Sequence, residues 1–226
     1  MGQLVEFASN GNKTTGYLAT PAAGHGPGVV VLQEWWGLVD HIKDVCDRMA
    51  NEGFVALAPD LFHGKTTKSP DEAGKLMMAL RIDEAEKDLA GAVDYLLQHD
   101  AVSFAKAGTI GFCMGGALSL YAASKNSKVG ACVVFYGGHP NVHPDLPNLK
   151  APVLGIYGGR DNFVTPEVVH KLEKQMKELV NYEMSLPRRF EINIKGICLY
   201  HHKDFDRVSE DQKQTIIHQH EIAIRI

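Results

Sequence analysis

The chain has 226 residues, 45% of them hydrophobic and 22% charged, with a formal net charge of −4. That balance suits a globular domain long enough to bury a sizeable core, and the lack of a basic patch argues against nucleic acid or an anionic membrane as partner. No 18-residue apolar stretch and no basic-then-apolar leader occurs, so neither a membrane span nor a signal peptide is expected. Four scattered cysteines, Cys46, Cys113, Cys132 and Cys198, form no CxxC pair, which fits a reducing cytoplasm.

Two β-like runs, 4–8 and 15–19, flank Asn10-Gly11-Asn12, a hairpin signal. Residues 28–32 are a continuous apolar run, the pattern of a strand buried on both faces. Over 40–52, Ile42, Val45 and Met49 share one helical face, and Gly53 can end that helix. A second buried strand spans 54–58, up to Pro59. Ser69-Pro70-Asp71-Glu72 predicts a helix start with Ser69 as N-cap. A helix over about 83–99, a strand over 109–112, a helix to about Lys125, strands over 129–135 and 153–157, and a helix from Pro166 to about Leu179 follow. Strands alternate with helices, which predicts an α/β architecture: one domain over 1–226 with a mostly parallel central sheet and helices on both faces. From about residue 187 the texture turns polar and isoleucine-rich; strands at 190–194 and 222–226 and a short helix from Ser209 are expected there.

Ligands of an open parallel sheet bind beyond the carboxyl ends of its strands. Four loops should therefore crowd one edge: Gln33-Glu34-Trp35-Trp36-Gly37, Pro59-Asp60-Leu61-Phe62-His63-Gly64, Gly111-Phe112-Cys113-Met114-Gly115 and Gly158-Gly159-Arg160-Asp161. The third has the form of a nucleophile elbow with cysteine in the serine position. A sharp strand-to-helix turn exposes the nucleophile, side chains two positions either side would clash, and the helix N-terminus favours a thiolate and an oxyanion. In a chain of this composition a chance G-x-C-x-G is expected roughly 0.04 times, so the motif outweighs its plainer reading, a small buried cysteine beside packing glycines. Asp161 follows the next strand but one and suits the acid that orients a catalytic histidine; an Asx turn explains the same residue. Glu34, at the end of a buried strand, is a candidate base, or simply a loop carboxylate.

These pieces resemble the dienelactone hydrolase (carboxymethylenebutenolidase) family: "VVLQEWWGL" at 30–38, "FVALAPDLFHGK" at 54–65, "GTIGFCMGGALSLYAA" at 108–123, "VVFYGG" at 133–138 and "APVLGIYGGRDNFVTPE" at 151–167. The resemblance implies an α/β-hydrolase fold and hydrolysis of small esters or lactones without a cofactor or metal. It implies Cys113 as nucleophile, Asp161 as triad acid, Glu34 as the group that takes the thiol proton, and the backbone N–H groups of Trp35 and Met114 as the oxyanion hole.

The chain departs from the family at the histidine, which follows the last core strand in a G-x-x-H-x-F pattern. After Gly196 it reads Ile197-Cys198-Leu199-Tyr200-His201-His202, with Leu199 where the pattern has histidine. His201 and His202 are the nearest candidates. The abrupt loss of resemblance near 187 motivates the hypothesis of an altered reading frame or splice event, which sequencing the transcript tests and an in-frame source with related chains sharing this ending would sink. His139 and His143 stand four apart but lack a third metal ligand, and His63 is a candidate for the pocket wall. Arg81 and Arg160 are candidate partners for a substrate carboxylate. The resulting expectation is a cytoplasmic hydrolase, monomer or small homo-oligomer, acting through an acyl-enzyme. Its rivals are a non-catalytic binding protein of the same fold without a working histidine, and a redox-sensing cysteine.

Overall fold

The computed structural model describes residues 2–9, 11–185 and 197–200. Eight strands form one sheet: β1 (Gln3–Ser9), β2 (Asn12–Ala19), β3 (Gly28–Leu32), β4 (Val55–Pro59), β5 (Ala107–Phe112), β6 (Val129–Phe135), β7 (Val153–Gly158) and β8 (Ile197–Tyr200). Their spatial order is β1-β2-β4-β3-β5-β6-β7-β8. β1 and β2 form the antiparallel hairpin that Asn-Gly predicts, and β2 pairs antiparallel with β4. From β4 onward every pairing is parallel.

Five helices connect the strands: α1 (Asp40–Asn51), α2 (Pro70–Ala79), α3 (Ile82–Gln98), α4 (Met114–Lys125) and α5 (Pro166–Ser185). β3 and β4 are buried at every position, because helices cover both of their faces. Alternate residues therefore serve two cores. Val30, Leu32, Val55 and Leu57 pack with α3 and α4 residues such as Val93, Leu96 and Leu118. Val29, Val31, Ala56 and Ala58 pack with Ile42, Val45 and Cys46 of α1. Full burial of each such valine or leucine contributes about 1.5–3 kcal/mol before chain entropy is set against it.

Two local expectations differ in detail. Ser69 is the N-cap of α2 and Pro70 opens it, but the Ser69 side chain makes no capping hydrogen bond. Thr67 instead ties the turn before the helix to its first turn: its hydroxyl accepts from the Ser69 N–H at 3.0 Å and donates to Glu72 Oε2 at 2.5 Å. The last helix runs to Ser185 rather than about Leu179, since nothing in the sequence between them breaks a helix. The strand expected at 190–194, the helix from Ser209 and the strand at 222–226 lie outside the described residues. Among the described residues no helix is long and apolar enough to cross a membrane.

Candidate active site

The strand order places a topological switch between β3 and β5: the chain leaves β3 toward β4, then returns to β3's other side as β5. Ligand crevices open at such points. Leu32 of β3 is level with Gly111 of β5, so Glu34 and Cys113 emerge on the same edge. Phe112 is level with Phe135, and Phe135 with Ile156, which brings Tyr136 and the 159–161 loop to that edge as well.

Cys113 is the N-cap of α4 and has φ 54°, ψ −120°, a backbone that L-residues adopt rarely and at a cost of about 1–3 kcal/mol. The surroundings hold it there. Its N–H donates to the Phe135 carbonyl at 3.0 Å, and its own carbonyl accepts from Gly116, Ala117 and Gly138 at 2.9, 3.2 and 3.3 Å. The flanking glycines are steric necessities. A Cβ on Gly111 would lie 2.0 Å from the Gly115 carbonyl oxygen, and one on Gly115 would lie 2.4 Å from that of Leu32. Gly116 also meets Gly137, with 2.8 Å from its would-be Cβ to the neighbour's Cα. Helix α4 thus seats backbone against backbone on three strands, and the thiol is left half-buried at the turn.

Burial pushes the Cys113 thiol above its ordinary range. The Met114 N–H opposes this by donating to the sulfur, and the charges of Glu34 and Asp161 add to the rise. A neutral resting thiol follows, with two carboxylates close enough to act on it. Two other cysteines differ in setting. Cys46 and Cys132 are buried away from this edge, raised to about 12 and about 11 by desolvation.

Asp161 stands in the loop after β7. Its Oδ1 accepts from the N–H groups of Phe163 and Val164 at 2.7 and 3.0 Å, so the Asx-turn reading of this residue describes its geometry. The same two bonds fix the carboxylate in one orientation. Glu34 is half-buried, and its Oε1 accepts from the Tyr136 hydroxyl at 3.2 Å. Trp35 and Trp36 are half-buried with their rings edge to face, centroids 5.2 Å apart, and Trp35 packs against the larger core. The neighbouring Gln33 is fully buried, its Oε1 accepting from the Leu61 N–H at 3.3 Å.

Sequence reasoning missed Tyr136. It directly follows β6, precedes two glycines and has φ 40°, outside the usual range for a tyrosine. The signal was its place at the carboxyl end of a core strand. The residue is 37% exposed overall, yet local desolvation, then the Glu34 carboxylate and the Cys113 thiol, push its hydroxyl pKa well up.

The other candidates differ in their partners. His63, a candidate for the pocket wall, turns to Asp88 of α3, Nε2 to Oδ2 3.3 Å. His139 is tied into its own loop and to the Met77 carbonyl at 3.1 Å. Arg81 is exposed and paired with Asp83 and Glu84 at 2.9 and 3.3 Å, and Arg160 is exposed. Among the described residues no cluster of three or more His, Cys, Asp or Glu could hold a metal. β8 carries Leu199 opposite Tyr157. His201 and His202, next in the chain, lie outside the described residues.

The model for the dienelactone hydrolase family matches residues 14–186, a span that closes where the sequence loses its resemblance. "Protein usf" of Aquifex pyrophilus is 44% identical over 183 residues, covering 78% of this chain and 79% of that protein. A chain of Aquifex aeolicus assigned as a carboxymethylenebutenolidase is 40% identical over 181 residues, covering 77% and 78%. Among solved structures, a dienelactone hydrolase-like promiscuous phosphotriesterase from metagenomic libraries is similar, with TM-score 0.70 and 28% identity over 79% of this chain and 77% of that one. The mostly parallel sheet with its strand–thiol–helix turn is thus an α/β-hydrolase fold, and the chain belongs to the dienelactone hydrolase family.

Proposed function

We propose that this hydrolase acts on small carboxylic esters or lactones with Cys113 as nucleophile, through a thioester intermediate. The observation that carries the reading is the strained Cys113 turn, with Glu34 and Asp161 acting electrostatically on its thiol. A raised thiol is a poor nucleophile until a base takes its proton. Glu34 or a histidine accepts that proton as sulfur bonds to the carbonyl carbon. The carbonyl electron pair moves onto oxygen, where the Trp35 and Met114 N–H groups receive it. Collapse breaks the C–O bond, and the base returns the proton to the departing alkoxide. Water, losing a proton to a histidine oriented by Asp161, then adds to the thioester; sulfur leaves and takes that proton from the histidine, and the carboxylic acid is free. His201 and His202 are proposed for the histidine because they follow β8, beside the strand that delivers Asp161.

The test is p-nitrophenyl acetate hydrolysis by the chain and by Cys113→Ala. Steady turnover that vanishes in the variant supports the reading. Turnover that persists in Cys113→Ala overturns it, and one acyl equivalent per chain without turnover marks a thiol that acylates but has no working histidine to release it.

A further inference from the structure

We propose that Tyr136 is a positioning residue whose hydroxyl anchors the Glu34 carboxylate at the sheet edge where Cys113 stands. The inference rests on the reading of Cys113 as nucleophile and extends it to a residue outside the triad.

Three observations converge. The Tyr136 hydroxyl donates to Glu34 Oε1 at 3.2 Å across 102 residues of chain, from the loop after β6 to the loop after β3. Its backbone is held where tyrosine is seldom found, at φ 40°, with its N–H bonded to the Ile156 carbonyl at 2.7 Å. Gly137, next in the chain, has no room for a side chain: a Cβ there would lie 2.5 Å from Val134 Cγ1 and 2.8 Å from the Ala117 N. The turn that aims this ring is therefore over-determined by its neighbours, and strain sustained in that way clusters at working sites. Glutamate carries three rotatable bonds, so a carboxylate at the mouth of a crevice drifts toward water unless something holds it. Tyrosine, with a rigid ring, makes such a hold at small entropic cost.

The titratable groups of the surrounding described elements that interact electrostatically with the sulfur are Glu34 after β3, Tyr136 after β6 and Asp161 after β7. A negative charge kept near the thiol opposes its ionisation. Releasing Glu34 should therefore ease ionisation of Cys113 while impairing transfer of its proton during catalysis.

The test is the pH profile of Cys113 alkylation by iodoacetamide, read by peptide mass spectrometry in the full chain. Tyr136→Phe keeps the ring and the backbone. It should move the midpoint down by roughly half a pH unit and lower kcat for p-nitrophenyl acetate about tenfold with KM unchanged. In a Glu34→Gln background the same change should move the midpoint no further. An unmoved midpoint, or an equal movement in both backgrounds, overturns the proposal. Hydrolysis surviving in Cys113→Ala would sink the nucleophile reading alone, because the alkylation profile reports on the anchor independently.

Discussion

His63 reaches from the loop after β4 to Asp88 on α3, placing its Nε2 3.3 Å from the carboxylate Oδ2. The other oxygen of Asp88 accepts from the Ser9 hydroxyl and, at 2.9 Å, from that of Thr14, so one buried carboxylate ties the β1–β2 hairpin, α3 and the β4 loop together. Removing a buried acceptor strands its donors. Asp88→Ala is expected to lower unfolding stability by about 3 kcal/mol, whereas His63→Ala, cut at an exposed ring, costs about 0.5 kcal/mol. Urea denaturation of the two variants checks the ordering; an Asp88→Ala chain as stable as the parent would show that packing, not this carboxylate, secures the hairpin.

Gly115 and Gly74 should respond oppositely to alanine. At Gly115 the added carbon meets the Leu32 and Gln33 carbonyl oxygens at 2.4 and 2.5 Å, both backbone, and neither can step aside. The loss is expected to be about 2–4 kcal/mol. At Gly74, inside α2, the nearest atom is Trp35 Cζ3 at 4.0 Å. Alanine there should stabilise by about 0.5–1 kcal/mol through helix propensity. Thermal melts of the pair decide it, and a stable Gly115→Ala would mean that α4 can lift off the sheet.

Asp161→Asn separates the two readings of this residue. The amide oxygen can still accept from the Phe163 and Val164 N–H groups, so the loop and the melting temperature should hold. The charge is lost, so ester turnover should fall roughly 10²- to 10⁴-fold. Full activity in this variant would leave Asp161 a turn residue only.

Alkaline pH should unfold the chain early. Cys46 and Cys132 are raised to about 12 and about 11, first by burial, whereas an unfolded thiol loses its proton near 9. The folded state binds these protons when the unfolded state has released them. Stability contributed by the neutral thiols is therefore complete below pH 9 and declines as pH rises from there through 11 and 12. The combined loss is on the order of several kcal/mol. Urea midpoints between pH 8 and 11 test the slope, and Cys46→Ala and Cys132→Ala should each flatten it.

The elbow could be found in the sequence because its demands are local: glycines two residues either side of Cys113 follow from collisions with carbonyls that any strand–turn–helix creates. The parallel sheet was legible for a related reason, since strands covered on both faces must read as unbroken apolar runs. Asp161 was legible in place and open in role, and the structure gives it the turn's hydrogen bonds. Tyr136 could not be read in this way. Its contact joins residues 102 apart, and nothing in "VVFYGG" announces the direction of the ring. His63 is another such case: its position after a core strand is legible, but its pairing with a buried aspartate on α3 joins residues far apart in the chain.

Main-chain contact, not a ring of supporting side chains, determines where the Cys113 sulfur sits, because α4 lies with its first turn pressed directly onto the strands. The Cys113 sulfur thus keeps its address while the residues around the crevice change identity. On the mechanism proposed above, such an arrangement permits a lineage to exchange one acyl substrate for another by altering loops, with the reactive centre inherited intact.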